Sequence, residues 1–132
     1  MTVFVDTSAV YAVVNRQETS HLPAMAAWRR LLDEGALLIT SNYVVVETIA
    51  LLHHRLGVEA VRDFQEDIAP LLHIEWIDEA RHRSSVAALL AAGRRKLSLV
   101  DCVSFQVMRE AGVRTAFCFD DHFREQGFDV LP

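Results

Sequence analysis

Short apolar runs alternate along this chain with longer segments in which apolar residues recur at helical spacing. Five of the runs predict strands, at residues 3–5, 37–40, 73–77, 115–119 and 129–131. The periodic segments predict helices at residues 9–14, 22–34, 42–56, 58–68, 79–92 and 99–111, with a polar turn or short helix at 121–127. This alternation is typical of an α/β fold whose parallel sheet is covered on both faces by helices.

The overall composition is that of a globular protein. Of the 132 residues, 52% are hydrophobic and 23% are charged, which excludes a disordered chain. The length fits a single domain over residues 1–132, without a repeat or a linker. No apolar stretch is long enough for a membrane span, and the first strand follows without a leader segment. We therefore expect a cytoplasmic protein.

Four acidic residues stand in apolar surroundings. Asp6 ends the first strand, and Asp120 follows the strand at residues 115–119. Glu47 and Asp101 lie on predicted helices, each in line with apolar residues, so both are expected to face inward. A carboxylate among apolar neighbours is costly unless it is paired, hydrogen-bonded or bound to a cation. Because parallel sheets bind ligands at the carboxyl ends of their strands, we expect the four acids to meet at one metal site.

A cluster of carboxylates favours a hard cation, Mg²⁺ or Mn²⁺, which can activate water at a phosphodiester. Simpler roles are open to each acid. Asp6 and Asp120 could each cap a helix, and Glu47 and Asp101 could each pair with an arginine. Asp121 directly follows Asp120 and could cap a helix, share the role of Asp120 or replace it.

Several neighbouring side chains could support such a site. Thr7, Ser8 and Ser98 could hydrogen-bond the carboxylates or the waters of a metal, although helix capping explains these residues equally well. In particular, Thr7 or Ser8 can cap the first helix. His122 could assist a proton transfer or contact phosphate, but an exposed histidine in a turn is the simpler interpretation.

The densest basic run is Arg94, Arg95 and Lys96. It precedes Asp101 closely enough in the sequence to contact an RNA backbone. A solvated run of charges is the alternative. The net charge of −5 argues against a protein that coats nucleic acid, but the candidate acids supply much of it. An enzyme that meets phosphate through a metal is therefore not excluded. Cys102 and Cys118 are expected to be small buried residues without a chemical role.

The order and context of the four acids resemble the PIN-domain family, above all the VapC-type toxin ribonucleases of toxin–antitoxin pairs. The matching stretches are Val-Phe-Val-Asp-Thr-Ser at 3–8, Ser-Asn-Tyr-Val-Val-Val-Glu-Thr at 41–48, Leu-Ser-Leu-Val-Asp at 97–101 and Phe-Asp-Asp-His-Phe at 119–123. Each motif alone is weak, but the four occur in the right order across nearly the whole chain.

This resemblance implies a three-layer α/β/α sandwich around a central parallel sheet, with Mg²⁺- or Mn²⁺-dependent endoribonuclease activity. It implies that the metal is bound by Asp6, Glu47, Asp101 and Asp120, with Thr7 or Ser8 in support. It also implies an RNA substrate, a homodimer and a small antitoxin protein that inserts into the acidic groove.

Two other functions fit parts of the sequence. A phosphoacceptor receiver domain is also an α/β protein with an acidic Mg²⁺ site. Its acidic pair belongs at the end of the first strand, however, whereas Asp120 and Asp121 come late and no lysine follows the last strands. The other alternative is a catalytically inactive PIN domain that only binds partners. Loss of an acid would favour that function, and all four are present.

Overall fold

The first strand forms the centre of a five-stranded sheet, and its residues Val3, Phe4 and Val5 are 0% exposed. The structure is a computed structural model that describes all residues, 1–132. The strands are β1 (Thr2–Val5), β2 (Leu37–Ser41), β3 (His73–Glu75), β4 (Thr115–Phe117) and β5 (Asp129–Leu131). All pairings are parallel, in the order β3-β2-β1-β4-β5.

Helices connect the strands and cover the sheet. They are α1 (Thr7–Val14), α2 (His21–Asp33), α3 (Asn42–Leu56), α4 (Val58–Asp63), α5 (Glu79–Ala92), α6 (Leu99–Ala111) and α7 (His122–Glu125). A π-helical turn at Phe64–Ile68 and a 3₁₀ turn at Ala69–Leu71 follow α4. None of the helices combines the length and the apolar character that crossing a membrane requires.

Two separate apolar clusters lie on opposite faces of the sheet. Val3 and Val5 belong to the cluster that contains buried residues of α1, α2 and the segment around α4. Phe4 belongs to the cluster that contains buried residues of α6 and α7. Successive residues of a strand point to opposite faces, so β1 contributes to both cores. The protein is therefore a three-layer α/β/α sandwich with a parallel sheet, which confirms the predicted fold class.

Two strands are shorter than predicted, because backbone amides beyond them bind side chains. After β3, the amide of Ile77 donates to the side-chain oxygen of Asn42 at 2.7 Å. After β4, the amide of Phe119 donates to the hydroxyl of Ser8 at 2.9 Å. The helix predicted at residues 58–68 is divided between α4 and the π-helical turn, in which the amide of Ala69 bonds the carbonyl of Phe64.

The strand order does not fit the receiver-domain alternative. In the flavodoxin-like order 2-1-3-4-5, the first strand lies between the second and the third, and the ligand binds beside the first and third strands. Here β1 lies between β2 and β4. A ligand site at the carboxyl ends of the strands would therefore lie beside the first and fourth strands.

Candidate metal centre

The neighbouring strands β1 and β4 carry two of the predicted acids to the carboxyl-terminal edge of the sheet, where the parallel strands end. Val5 is paired with Phe117, and the amide of Asp6 donates to the carbonyl of Phe117 at 3.1 Å. Asp120 follows shortly after the end of β4. Both carboxylates therefore lie where adjacent parallel strands end, which is the usual ligand-binding edge of such a sheet.

Asp6 is buried at this edge and caps α1 as well. Its Oδ2 accepts hydrogen bonds from the amide of Ser8 at 3.2 Å and from the hydroxyl of Ser8 at 2.7 Å. The hydroxyl of Ser8 in turn accepts from the amide of Phe119, which ties the ends of β1 and β4 together. The prediction that Thr7 or Ser8 caps the first helix is wrong, because α1 begins at Thr7 and Asp6 is the capping residue.

Asp101 reaches the same edge from the first turn of α6. The hydroxyl of Ser98 accepts from the amide of Asp101 at 3.0 Å, and Oδ2 of Asp101 accepts from the amide of Ser98 at 3.1 Å. This reciprocal capping box fixes the carboxylate relative to the start of the helix. Ser98 therefore both caps α6 and holds Asp101, so the two roles left open from the sequence are compatible.

Glu47 approaches the edge from the second turn of α3 and is half-buried. Beside it, the hydroxyl of Thr7 is 3.0 Å from the hydroxyl of Thr48, a contact that joins α1 to α3. Burial raises the pKa of Glu47, the hydroxyl of Thr7 opposes that rise, and the negative charges of Asp101 and Asp120 add to it. Glu47 is thus electrostatically coupled to the other acids of the edge.

His122 lies among the acids, so the prediction of an exposed turn histidine is wrong. Its Nδ1 is 3.0 Å from Oδ2 of Asp101 and 3.3 Å from Oδ1 of Asp120, and its side chain is 17% exposed. The ligand atoms of these three residues all lie within 4.8 Å of one another. The buried ring of Phe123 anchors the turn. An apolar residue directly after the histidine is the sequence signal for this placement.

The acids of the edge repel one another, and no lysine or arginine neutralises them. Burial raises the pKa of Asp6 to about 6; the hydrogen bonds of Ser8 oppose the rise, and the charges of Asp101 and Glu47 increase it. None of the four acids forms an ion pair with a lysine or an arginine. The arginine-pair interpretation of Glu47 and Asp101 is therefore wrong. Oxygen donors with uncompensated charge fit a hard divalent cation.

Two neighbouring residues stand apart from this cluster. The side chain of Asp121 is 86% exposed and lies 3.7 Å from Arg124, so the structure separates it from Asp120. The thiol of Cys118 is buried, and burial raises its pKa to about 12, which keeps the free thiol protonated at neutral pH. Cys118 and Cys102 are both buried free thiols, as predicted.

The basic run lies in the linker between α5 and α6, directly before Ser98. Arg94 forms an ion pair of 2.9 Å with Glu125 of α7, the helix that begins at His122. Arg95 and Lys96 are exposed and form no ion pair. The linker is therefore attached to the same helix as the histidine of the cluster, and two of its cationic side chains are free.

The sequence as a whole matches a family model described as the PIN domain, over residues 3–129. The chain belongs to the PIN domain family. Two relatives named 23S rRNA-specific endonuclease VapC20, from the Mycobacterium tuberculosis strains CDC 1551 / Oshkosh and ATCC 25618 / H37Rv, are each 32% identical over 98% of this chain and 98% of their own length. The PIN-family resemblance read from four short motifs is thus confirmed.

Solved structures agree with this assignment to the PIN family. The crystal structure of Mycobacterium tuberculosis VapC20, described as a Sarcin-Ricin loop cleaving toxin, superposes with a TM-score of 0.85 at 32% identity, over 98% of this chain and 99% of its own. FitAcB from Neisseria gonorrhoeae superposes with a TM-score of 0.69 at 18% identity, over 100% of this chain and 97% of its own. The second likeness concerns the fold alone.

Asp6→Asn is expected to stabilise the cation-free PIN domain at pH 8. An aspartate ionises near pH 3.8 in the unfolded chain, whereas the pKa of Asp6 in the folded protein is about 6. Between these values the folded protein retains a proton that the unfolded chain has lost, so this contribution to stability falls as the pH rises. Above about pH 7 the ionised carboxylate of Asp6 lowers the free energy of unfolding by roughly 3 kcal/mol.

Urea unfolding of both proteins in EDTA, at pH 4 and at pH 8, measures this effect. The two should have nearly equal free energies of unfolding at pH 4, and the variant should be more stable by up to about 3 kcal/mol at pH 8. Asp121→Asn, which changes an exposed acid, should leave the free energy nearly unchanged at both pH values. A difference between wild type and Asp6→Asn that does not vary with pH would contradict the raised pKa.

Proposed function

We propose that this PIN domain is a divalent-cation-dependent endoribonuclease and the toxin of a toxin–antitoxin pair. The observation that carries the proposal is the cluster of Asp101, Asp120 and His122, whose ligand atoms lie within 4.8 Å of one another. Asp6 and Glu47 add two more carboxylates that are coupled to this cluster through their charges. The likeness to a 23S rRNA-specific endonuclease over 98% of the chain supports RNA as the substrate class.

In this proposal a cation is held by Asp6, Glu47, Asp101 and Asp120. Mg²⁺ or Mn²⁺ there would supply positive charge at the phosphodiester and lower the pKa of the attacking water. The protein's part is to keep the carboxylates in place before the substrate arrives. Such fixed ligand positions reduce the rearrangement that accompanies cation binding and catalysis.

Two serines provide that fixed arrangement. Ser8 holds Asp6 through its amide and hydroxyl, while the same hydroxyl accepts from the amide of Phe119. Ser98 holds Asp101 through a reciprocal pair of hydrogen bonds. Asp6 is 6% exposed, so little water screens its charge, and its attraction to a cation is stronger than that of a surface carboxylate.

We also propose that Arg95 and Lys96 contact the RNA backbone beside this edge. Their side chains are exposed and unpaired, and Arg94 attaches their linker to α7 through Glu125. Exposed, positively charged side chains next to an acidic cluster offset the repulsion between that cluster and phosphate. Asp121 is exposed at the same turn as Asp120, and we give it no ligand role.

The substrate that we propose is a structured loop of ribosomal RNA, in keeping with the 32% identity to a 23S rRNA-specific endonuclease. We propose an antitoxin protein and a second copy of the chain as partners, in keeping with the likeness to a VapC toxin; exposed apolar side chains such as Leu22, Trp76 and Leu90 are available for contacts with them. The cytoplasm is the proposed compartment, since ribosomal RNA is found there and the two buried cysteines are free thiols.

Cleavage of a ribosomal RNA fragment by metal-stripped protein tests this function. Activity should be absent in EDTA and should return when Mg²⁺ or Mn²⁺ is added. Cleavage that is equally fast in EDTA would contradict the cation-dependent centre. Absence of cleavage with every cation and every RNA would favour the alternative, a PIN domain that only binds partners.

A further inference from the structure

His122 is the member of the cluster that is not an acid, and the function proposed above gives it no role. Its Nδ1 is 3.0 Å from Oδ2 of Asp101 and 3.3 Å from Oδ1 of Asp120. The backbone amide of His122 donates to Oδ1 of Asp120 at 2.8 Å, and the side chain is 17% exposed. The ring is therefore held with Nδ1 towards both carboxylates instead of towards solvent.

One hydrogen bond from Nδ1 does not account for its approach to both carboxylates. Nδ1 carries at most one hydrogen, which can be directed well at only one of the two carboxylates. Adjacent ligands of an octahedral cation with bonds of about 2.1 Å lie about 3.0 Å apart. The two separations of Nδ1 from the carboxylate oxygens, 3.0 Å and 3.3 Å, are close to that spacing. One cation could therefore be bound by all three groups at once.

We propose, building on the cation-dependent function above, that His122 is a nitrogen ligand of the same cation. The centre would then prefer first-row transition metals such as Mn²⁺ over Mg²⁺. Imidazole nitrogen is a good ligand for transition metals, whereas Mg²⁺ takes oxygen ligands and keeps several waters. The neutral ring would offer the lone pair of Nδ1 to the cation and keep its proton on Nε2.

Pulsed electron paramagnetic resonance of Mn²⁺ bound to the metal-stripped full chain tests this assignment without reference to activity. The wild type should show magnetic coupling between Mn²⁺ and an imidazole nitrogen. His122→Asn should lose that coupling but still bind Mn²⁺, because the amide oxygen of asparagine can occupy the position of Nδ1. His53→Gln, which changes an exposed histidine of α3, should keep the coupling.

Competition between the two cations provides a second measurement on the same samples. The Mg²⁺ concentration that displaces half of the bound Mn²⁺ should be lower in His122→Asn than in the wild type, by on the order of tenfold. Circular dichroism checks that the variant is folded.

The outcomes separate this inference from the function on which it rests. If wild-type protein binds Mn²⁺ without nitrogen coupling, and Asp101→Asn weakens that binding, His122 is not a ligand but the acidic centre stands. An unchanged ratio of Mn²⁺ to Mg²⁺ affinity in His122→Asn would also overturn the assignment. Failure of the wild type to bind any divalent cation would contradict both the assignment and the proposed function.

Discussion

Asp101→Asn is expected to lower the rate of RNA cleavage by at least about a thousandfold while the protein remains folded. The substitution removes a negative charge from the cluster, in which Asp101 contacts His122 at 3.0 Å. It retains the capping box, because the amide oxygen of asparagine can still accept a hydrogen bond from the amide of Ser98. The loss should therefore appear in catalysis and not in the fold.

Cleavage rates and thermal melting curves of the two proteins, measured in the same buffer with Mn²⁺, check this expectation. Asp121→Asn is the matched control, because it removes the same charge from an exposed side chain near the cluster. The control should cleave RNA at close to the wild-type rate. Wild-type activity in Asp101→Asn would show that Asp101 has no part in catalysis, and an unfolded variant would show that its role is structural.

Phe123→Ala is expected to reduce the free energy of unfolding by about 3–5 kcal/mol. The ring of Phe123 is fully buried. Its centroid lies 5.1 Å from the ring centroid of Phe105, 6.1 Å from that of Phe4 and 6.4 Å from that of Phe128. Removal of the ring opens a cavity among these three aromatic side chains. The expected loss is a large fraction of the roughly 5–15 kcal/mol that stabilises a typical domain.

Urea unfolding at pH 7 measures this loss, with Phe123→Leu as the conservative comparison. Leucine fills much of the space, so it should cost less than half as much as alanine. Because Phe123 follows His122 directly, the alanine variant should also bind Mn²⁺ more weakly than the leucine variant. A loss below about 1 kcal/mol for Phe123→Ala would mean that the turn is held by contacts other than this aromatic cluster.

The features of the fold that were predictable from the sequence depend on local patterns. The three apolar residues Val3, Phe4 and Val5 indicated a strand buried on both faces, and the structure agrees. Helical spacing placed Asp101 on the buried side of α6, where it is 9% exposed. These predictions succeed because the period of a strand or helix fixes which side a residue occupies.

The features that were missed depend on contacts between distant parts of the chain. Two backbone amides set the ends of β3 and β4: that of Ile77 donates to the side-chain oxygen of Asn42, and that of Phe119 donates to the hydroxyl of Ser8. No local pattern indicates such pairs. The mostly polar segment 121–127 predicts an exposed His122, whereas the ring contacts Asp101, which belongs to another helix and is distant in the sequence. The metal-binding roles of the four acids stay predictions.

The chemical structure of the cut ends tests most directly whether the four acids and their cation direct water at the phosphodiester. Attack by water does not require the 2′-hydroxyl of the ribose, whereas acid–base catalysis without a cation would use that hydroxyl and leave a cyclic phosphate. Mass spectrometry of an RNA with a single 2′-deoxyribose at the cut position distinguishes these routes. We predict that the deoxy substrate is cut in the presence of Mn²⁺ and that no product ends in a cyclic phosphate. An uncut deoxy substrate, together with a 2′,3′-cyclic phosphate from the unmodified RNA, would contradict the proposed centre.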